Sequence, residues 1–432
     1  MKTGMKTILI ICLVLGIALL GLHFYVGANG ARIAQVKEQL AQRDKLIAQA
    51  EMNRVLGKEP VEVGELEEVE VSPADSLLMN LQNYHKAFLV LGIDLILGAL
   101  AIVGLHLAKS KRRERQDLKV SSSSNILGIL LALVMLCLNL AIASNVFLTA
   151  SNLLNVLQQV SINFVIAIGM TIVIISGGID LSVGSNIALT GLLLAIMMKN
   201  WALSVPAALA LALVFSGLIG LVNGALIAFL NLPPFIATLG MMSIARGAAY
   251  TVTGGAPIYT MPAAFTGISG RVANIPLYAI LIMAAVFALG WYILRYTRVG
   301  RFTYAIGGNE SCARLSGINL NSVKCFVYLV SGLCCGVAAI LLTSRLDSAL
   351  PTNADGQEMD AIAAVVIGGT SMKGGEGSMI GTLIGIMIIG VIANGLNLLG
   401  VAQGPQKMVK GLIIVIAVII DVLRRRASES AK

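Results

Sequence analysis

Two glycine-broken stretches and one basic loop hold the residues of this chain that are able to act. The first break reads Ser176-Gly-Gly-Ile-Asp-Leu-Ser-Val-Gly-Ser185 and sets a single carboxylate, Asp180, inside an apolar run. A carboxylate near the bilayer centre costs roughly 2.5–3.5 kcal/mol on insertion scales, so it must face an aqueous path, an interface or a fixed donor. The other reading is a simple turn between helices, in which Asp180 caps the second helix. The sequence leaves both open. The second break, Val366-Ile-Gly-Gly-Thr-Ser-Met-Lys-Gly-Gly-Glu-Gly-Ser378, repeats the order of features: an aliphatic pair, a near-adjacent Gly-Gly, a closing Gly-Ser, and a Thr in the helix that resumes (Thr190 and Thr382). Freed backbone groups at such breaks are tolerated only against protein or a water-filled cavity. A pair of them in two halves of a chain points to a translocation pathway.

The loop from Arg295 to Asn319 offers something different. It is polar and basic, hence cytoplasmic, and it contains one short helix. Asn309 suits its N-cap, Glu310 its first turn and Ser316-Gly317 its C-terminus. About two turns of helix are not stable alone in water, so this one must dock, and the loop reads as a coupling element held out to a partner. Bond-making chemistry is missing. No GxxxxGK[ST], HExxH, GxSxG or nucleophile–His arrangement occurs, so the chain does not bind ATP by the phosphate-loop route. Paired buried carboxylates and histidines of a proton relay are also missing. His23, His85 and His106 lie far apart near span ends, and Cys12, Cys137, Cys312, Cys325, Cys334 and Cys335 form no CxxC pair. Neither a metal site nor disulfides are expected. The chain is expected to be a non-catalytic subunit that takes its energy from a partner at the cytoplasmic loop.

The elements that carry these residues follow from composition. The 432 residues are 57% apolar and 12% charged, with many apolar runs reaching the ~20 residues that cross a bilayer. This predicts an all-α, polytopic membrane protein. The net charge of +9 sits in short loops beside apolar runs, which is the positive-inside pattern and not a nucleic-acid signal. Spans are expected near 125–147, 158–177, 179–198, 203–229, 234–253, 276–294, 322–343, 378–398 and 406–423, with a shorter piece at 360–371. If that piece crosses, about ten core spans, some broken or re-entrant, place 295–321 and Arg424-Arg-Arg426 inside. Lys407 and Lys410 then fall outside, against the charge rule. Pro233-Pro234 marks a tight reversal, and Arg246 in the following span reads as an interhelical anchor, a pathway residue or a snorkelling cation.

Residues 1–122 read as an extension, separate from a core at 123–432. The run from Thr7 to Leu22 fits an uncleaved first span or a signal peptide. Ile33, Val36, Leu40, Ile47 and Ala50 follow helical spacing, and an acidic linker runs from Glu59 to Glu70. A second extra span at 86–107 carries Asp94, and Lys109-Ser-Lys-Arg-Arg-Glu-Arg follows on the cytoplasmic side.

The core resembles the permease subunits of sugar-importing ABC transporters of the ribose, xylose and galactoside group, the ribose branch above all. The matching pieces are Asn163-Phe-Val-Ile-Ala-Ile-Gly-Met-Thr, Ser176 to Ser185, Pro234-Phe-Ile-Ala-Thr-Leu, Ser243-Ile-Ala-Arg-Gly, Thr253-Gly-Gly-Ala-Pro257, Ile306 to Ile318, and Met359 to Ser371. The resemblance covers about 125–423, while residues 1–122 depart from it. It implies a homodimer in the lipid of the bacterial inner membrane, a cytoplasmic ATPase using ATP and magnesium, and an extracytoplasmic sugar-binding protein. A small sugar would pass between the subunits by alternating access. It also implies an ATPase contact at Gly307, Gly308, Asn309, Glu310, Arg314, Leu315 and Gly317. Asn163, Gly177, Gly178, Asp180, Ser182, Phe235, Glu358 and Asp360 would lie along the pathway. No cofactor is expected on this chain. A secondary transporter and a non-transporting scaffold or receptor are the competing classes.

Overall fold

In a computed structural model the described residues are 16–17, 19–55, 75, 82, 92, 123–271 and 275–429. The acidic linker, most of the expected span at 86–107 with Asp94, and the basic run from Lys109 lie outside them. Two compact units divide the chain: one gathers 1–118, 138–145 and 395–403, and the other takes the rest. In the first, the expected amphipathic segment is helix α1 (Gly30–Val55), with Ile33 buried and Arg32 paired to Asp75 at 2.8 Å.

From residue 123 onward the chain is helical almost throughout. The elements are α2 (Ser123–Ala143), α3 (Ala150–Ile175), α4 (Val183–Lys199), α5 (Val205–Phe229), α6 (Pro234–Thr253), α7 (Ala263–Thr266), α8 (Leu277–Tyr296), α9 (Arg298–Gly308), α10 (Glu310–Leu315), α11 (Leu320–Leu346), α12 (Gln357–Ile367), α13 (Met379–Leu398) and α14 (Gln403–Glu429). Among the described residues six helices (α3, α5, α6, α8, α11 and α13) are long and apolar enough to cross a bilayer. The only strands described are Ile258–Tyr259 and Ser348–Ala349, paired antiparallel with Ile258 opposite Ala349.

Periodicity explains the layering. From Val160 to Ile175, α3 is buried at every position, as an all-round apolar helix must be. α11 packs beside it and is capped by Asn319, whose side chain accepts the Ser322 N–H at 3.1 Å. Lipid-facing hydrophobicity cannot drive helices together in a membrane, so small residues decide who approaches whom. Ser216, Gly220 and Gly224 form such a stripe on α5, and Gly332 answers on α11. A Cβ on Gly220 would lie 2.2 Å from the Tyr328 carbonyl, so the two backbones touch only because that atom is missing. α8 packs less and exposes Leu281, Leu289 and Trp291; at its C-terminal end Tyr292 stacks on Tyr296 at 5.7 Å beside Arg295, the kind of aromatic cluster found at membrane interfaces.

One expectation needs correction. The stretch 295–319 is not a loop with one short helix, because α9 precedes α10. Thr297 caps α9 by accepting the Gly300 N–H at 3.1 Å. Val299, Phe302 and Ile306 pack on the core at helical spacing, while Arg298 and Arg301 face out and hide that period in the sequence. The lysines that broke the charge rule also find a reason. Lys407 pairs with Asp355 at 2.9 Å and Lys410 with Asp360 at 2.7 Å, so each neutralises a carboxylate at or just before the start of α12. The short piece, α12, has 11 residues, and at 1.5 Å per residue it reaches roughly half the hydrocarbon thickness.

Candidate functional site

The two glycine breaks and the basic segment meet at one place, where α3 and α9 end and the turn before α13 runs. The first break ends α3, and the freed Ile175 carbonyl accepts the Gly375 N–H at 2.9 Å. Gly177 (φ +84°) and Gly374 (φ +87°) make the turns that bring the strands of backbone together. Gly307, in the last turn of α9, presses on the same carbonyl: a Cβ there would sit 1.9 Å from the Ile175 oxygen and 2.5 Å from the Gly375 nitrogen. Tyr304 on α9 donates to the Gly377 carbonyl at 3.0 Å. Burial pushes the Tyr304 hydroxyl above its ordinary range, with Arg295 opposing, so it remains a donor at neutral pH. A hydroxyl pair between Thr171 and Thr382 at 2.8 Å ties α3 to α13 just inside. The end of α3, the turn before α13 and the end of α9 are therefore one backbone junction.

α10 hangs from this junction and is fixed at each end. Asn309 caps it, its side chain accepting the Cys312 N–H at 2.9 Å. Gly317 (φ +79°) closes it, and Ile318 returns its N–H to the Ala313 carbonyl at 3.2 Å. Glu310 accepts from Lys324 on α11 at 2.8 Å, with Arg314 further off at 3.8 Å. Ala313 is buried, whereas Leu315 is 89% exposed. An open groove of about 290 Å³ runs beside the helix, lined by Ser176, Gly177, Asn231, Pro234, Glu310 and Tyr328 among others.

Asp180 lies deeper, on the non-helical segment before α4. It is 1% exposed. Its carboxylate accepts the Ser182 N–H at 3.0 Å, the Ser182 hydroxyl at 2.6 Å and the Ser331 hydroxyl at 2.8 Å. Asn223 of α5 donates to the Ser182 hydroxyl oxygen at 2.9 Å. Of the readings open in sequence, fixed donors are what surround this carboxylate, at the start of α4 where the helix dipole favours an anion. A second polar set lies one turn further along α4: Asn186 donates to the Ser216 carbonyl at 3.2 Å, and Ser216 donates to the Gly332 carbonyl at 2.6 Å. Gly178 packs against Tyr328, whose hydroxyl is 2.4 Å from where a Cβ would stand.

Glu358 and Asp360 occupy the first turn of α12 and are both buried. Asp360 has Lys410 as its partner. Glu358 reaches the first turn of α4, where a Gly184 Cβ would meet its Oε2 at 2.4 Å. Two helix starts thus face one carboxylate. Arg246 anchors the outward turn to α6, donating to the Pro351 and Asn353 carbonyls, the latter at 3.0 Å. Asn163 is buried in α3, and Phe235 is 53% exposed in the first turn of α6. Thr238, one turn on, donates to the Ile179 carbonyl at 3.2 Å and holds α6 to the break. Sequence reasoning missed Lys324, Tyr328, Ser331, Asn223 and Ser216. Their only signal was a polar group in an apolar helix, which does not say which neighbour it meets.

Residues 152–418 match the model of a family described as the branched-chain amino acid transport system / permease component. The ribose import permease protein RbsC of Escherichia coli (strain K12) is 46% identical over 304 residues, covering 68% of this chain and 92% of that protein. RbsC of Bacillus subtilis (strain 168) is 46% identical over 299 residues, 68% of this chain and 92% of that protein. The fructose import permease protein FrcC of Rhizobium meliloti is 34% identical over 283 residues, 64% and 79% respectively. No solved structure matches the chain.

Proposed function

We propose, from the premise that this chain belongs to the family of branched-chain amino acid transport system permease components, that it is the transmembrane permease subunit of an ATP-driven monosaccharide importer. It is a multi-pass protein of the bacterial inner membrane and a non-catalytic transport subunit. Within a family described by amino-acid transport, the relatives named above are sugar permeases, and two of them are ribose permeases. Ribose, or a sugar close to it, is accordingly the proposed substrate.

One observation carries the mechanism: the exposed, doubly capped α10 is fixed through Gly307 to the broken end of α3 and the turn before α13. An element with no stable fold of its own, joined to helix ends by backbone contacts, suits the transfer of a partner's movement into the membrane. In this reading a cytoplasmic ATPase binds Gly307–Gly317, holds ATP and magnesium itself, and rocks the helix ends. Two copies of the permease enclose the pathway, and a soluble sugar-binding protein delivers the substrate outside. Asp180 and Ser182 stiffen the pathway wall through their donors. Phe235 stands near its cytoplasmic mouth, while Glu358 and Asp360 shape its outer half.

Reconstitution tests the whole reading. The protein, its ATPase and the binding protein are placed in liposomes with labelled ribose, fructose or leucine. ATP-dependent uptake of ribose is the expected result. Uptake that ignores ATP and collapses with an ion gradient would make the chain a secondary carrier. No flux under any condition would leave a scaffold or receptor.

A further inference from the structure

We infer that α10 meets its partner through Leu315, seated in an apolar pocket with an acidic rim, and that Glu310 is a positioning residue which makes no contact with that partner. The inference rests on the reading of Gly307–Gly317 as the ATPase contact and sorts that segment residue by residue.

Most of the segment is already engaged within this chain. Gly307 is pressed into the backbone junction, Asn309 is spent on the N-cap, and Gly317 supplies the left-handed turn that closes the helix. Glu310 is the sole acid between Arg295 and Asn319. Its charge is taken up by Lys324, which is itself only 17% exposed on α11. That bond sets the angle at which α10 leaves the membrane domain. Both cations, Lys324 and Arg314, sit on Oε1, so the Glu310 charge is balanced within this chain. Leu315 is the opposite case: 89% exposed in the last helical residue, in a segment outside the apolar spans.

A lone exposed leucine is ordinary, but this one has company. A second, mainly polar groove of about 310 Å³ borders the neighbouring Arg314 and is lined by Phe229, Asn231, Asn319 and Asn321. Phe229 is itself 64% exposed and Leu230 65%. The exposed charge of the 295–319 segment is positive, because Arg295, Arg298, Arg301 and Arg314 are exposed and its one acid is paired. The chemistry that fits is an apolar socket for Leu315 bordered by carboxylates for the arginines. Desolvating the leucine supplies affinity, and the rim sets orientation and on-rate.

The test uses the full-length permease in lipid nanodiscs, binding of its purified ATPase, and ATP consumed per sugar moved. Leu315→Asp should weaken ATPase binding by about tenfold or more, the loss expected for an unburied leucine, with an unchanged melting temperature because Leu315 is so exposed. Glu310→Lys should weaken binding, and the swapped pair Glu310→Lys/Lys324→Glu should restore it, because a strut works with its charges exchanged whereas a contact does not. If the melting temperature is native and the swap fails to restore binding, Glu310 touches the ATPase and the inference falls while the coupling reading stands. If the swap lowers the melting temperature, Leu315→Asp alone decides, and native-like binding by that variant overturns the inference. Should Leu315→Asp, Glu310→Lys and Gly307→Ala all bind and transport as the native chain does, the coupling reading itself falls.

Discussion

Placing a single methyl on Gly307 should uncouple this permease. The added Cβ would stand 1.9 Å from the Ile175 oxygen and 2.5 Å from the Gly375 nitrogen, atoms that now bond each other at 2.9 Å. Both neighbours are backbone, so no side chain can swing aside. Overpacking of this kind costs about 1–3 kcal/mol. Leaving the freed donor or acceptor without a partner adds about 1–3 kcal/mol. The sum of roughly 2–6 kcal/mol reaches only the bottom of the 5–15 kcal/mol that holds a typical protein, so Gly307→Ala should fold but with the junction sprung. Gly308→Ala is the matched control, because its Cβ would meet nothing within 4 Å. In proteoliposomes the first variant should lose most sugar uptake and consume more ATP per sugar, with a lower melting temperature; the second should match the native chain. Native coupling and native melting in Gly307→Ala would refute the junction as the route by which force enters.

Other perturbations probe the frame around that route. Gly220→Val drives a side chain into the Tyr328 carbonyl 2.2 Å away and should abolish folded yield by size-exclusion in detergent, whereas Gly240→Ala, with open space, should not. Asp180→Asn turns one acceptor atom into a donor facing hydroxyl and amide donors, so it should cost about 1–3 kcal/mol and appear as a lower melting temperature. The Lys407 ammonium holds the Asp355 carboxyl below its usual range. The folded value is thus the lower one, so the stabilisation is present above the ordinary carboxylate pKa and disappears as pH falls through the folded value. Lys407→Ala should therefore lower the melting temperature slightly at pH 7, and the gap should shrink as pH falls below the ordinary carboxylate range; a gap that does not shrink in acid would count against the pair.

How much was legible beforehand differs by residue. The ends of α10 were readable because capping is local: Asn309 and Gly317 act within a few bonds of their own positions. α9 was not, because Arg298 and Arg301 interrupt the eye while Val299, Phe302 and Ile306 keep the period. For Arg246 the sequence left anchor, pathway residue and snorkelling cation open, and only the fold gives its targets, since Pro351 and Asn353 lie over a hundred residues away.

Sequence by itself determined the membrane class, the all-α build and the glycine breaks, because hydrophobic length and helix-breaking residues are properties of short segments. It also supported the family match. Only the tertiary structure decided that Ile175, Gly307 and Gly375 share one hydrogen bond's space, that Glu310 faces Lys324, and that Asp180 is ringed by hydroxyls. Those facts depend on which helices touch. In a bilayer that choice is made by small residues and polar groups whose partners are distant in the chain and carry no local mark.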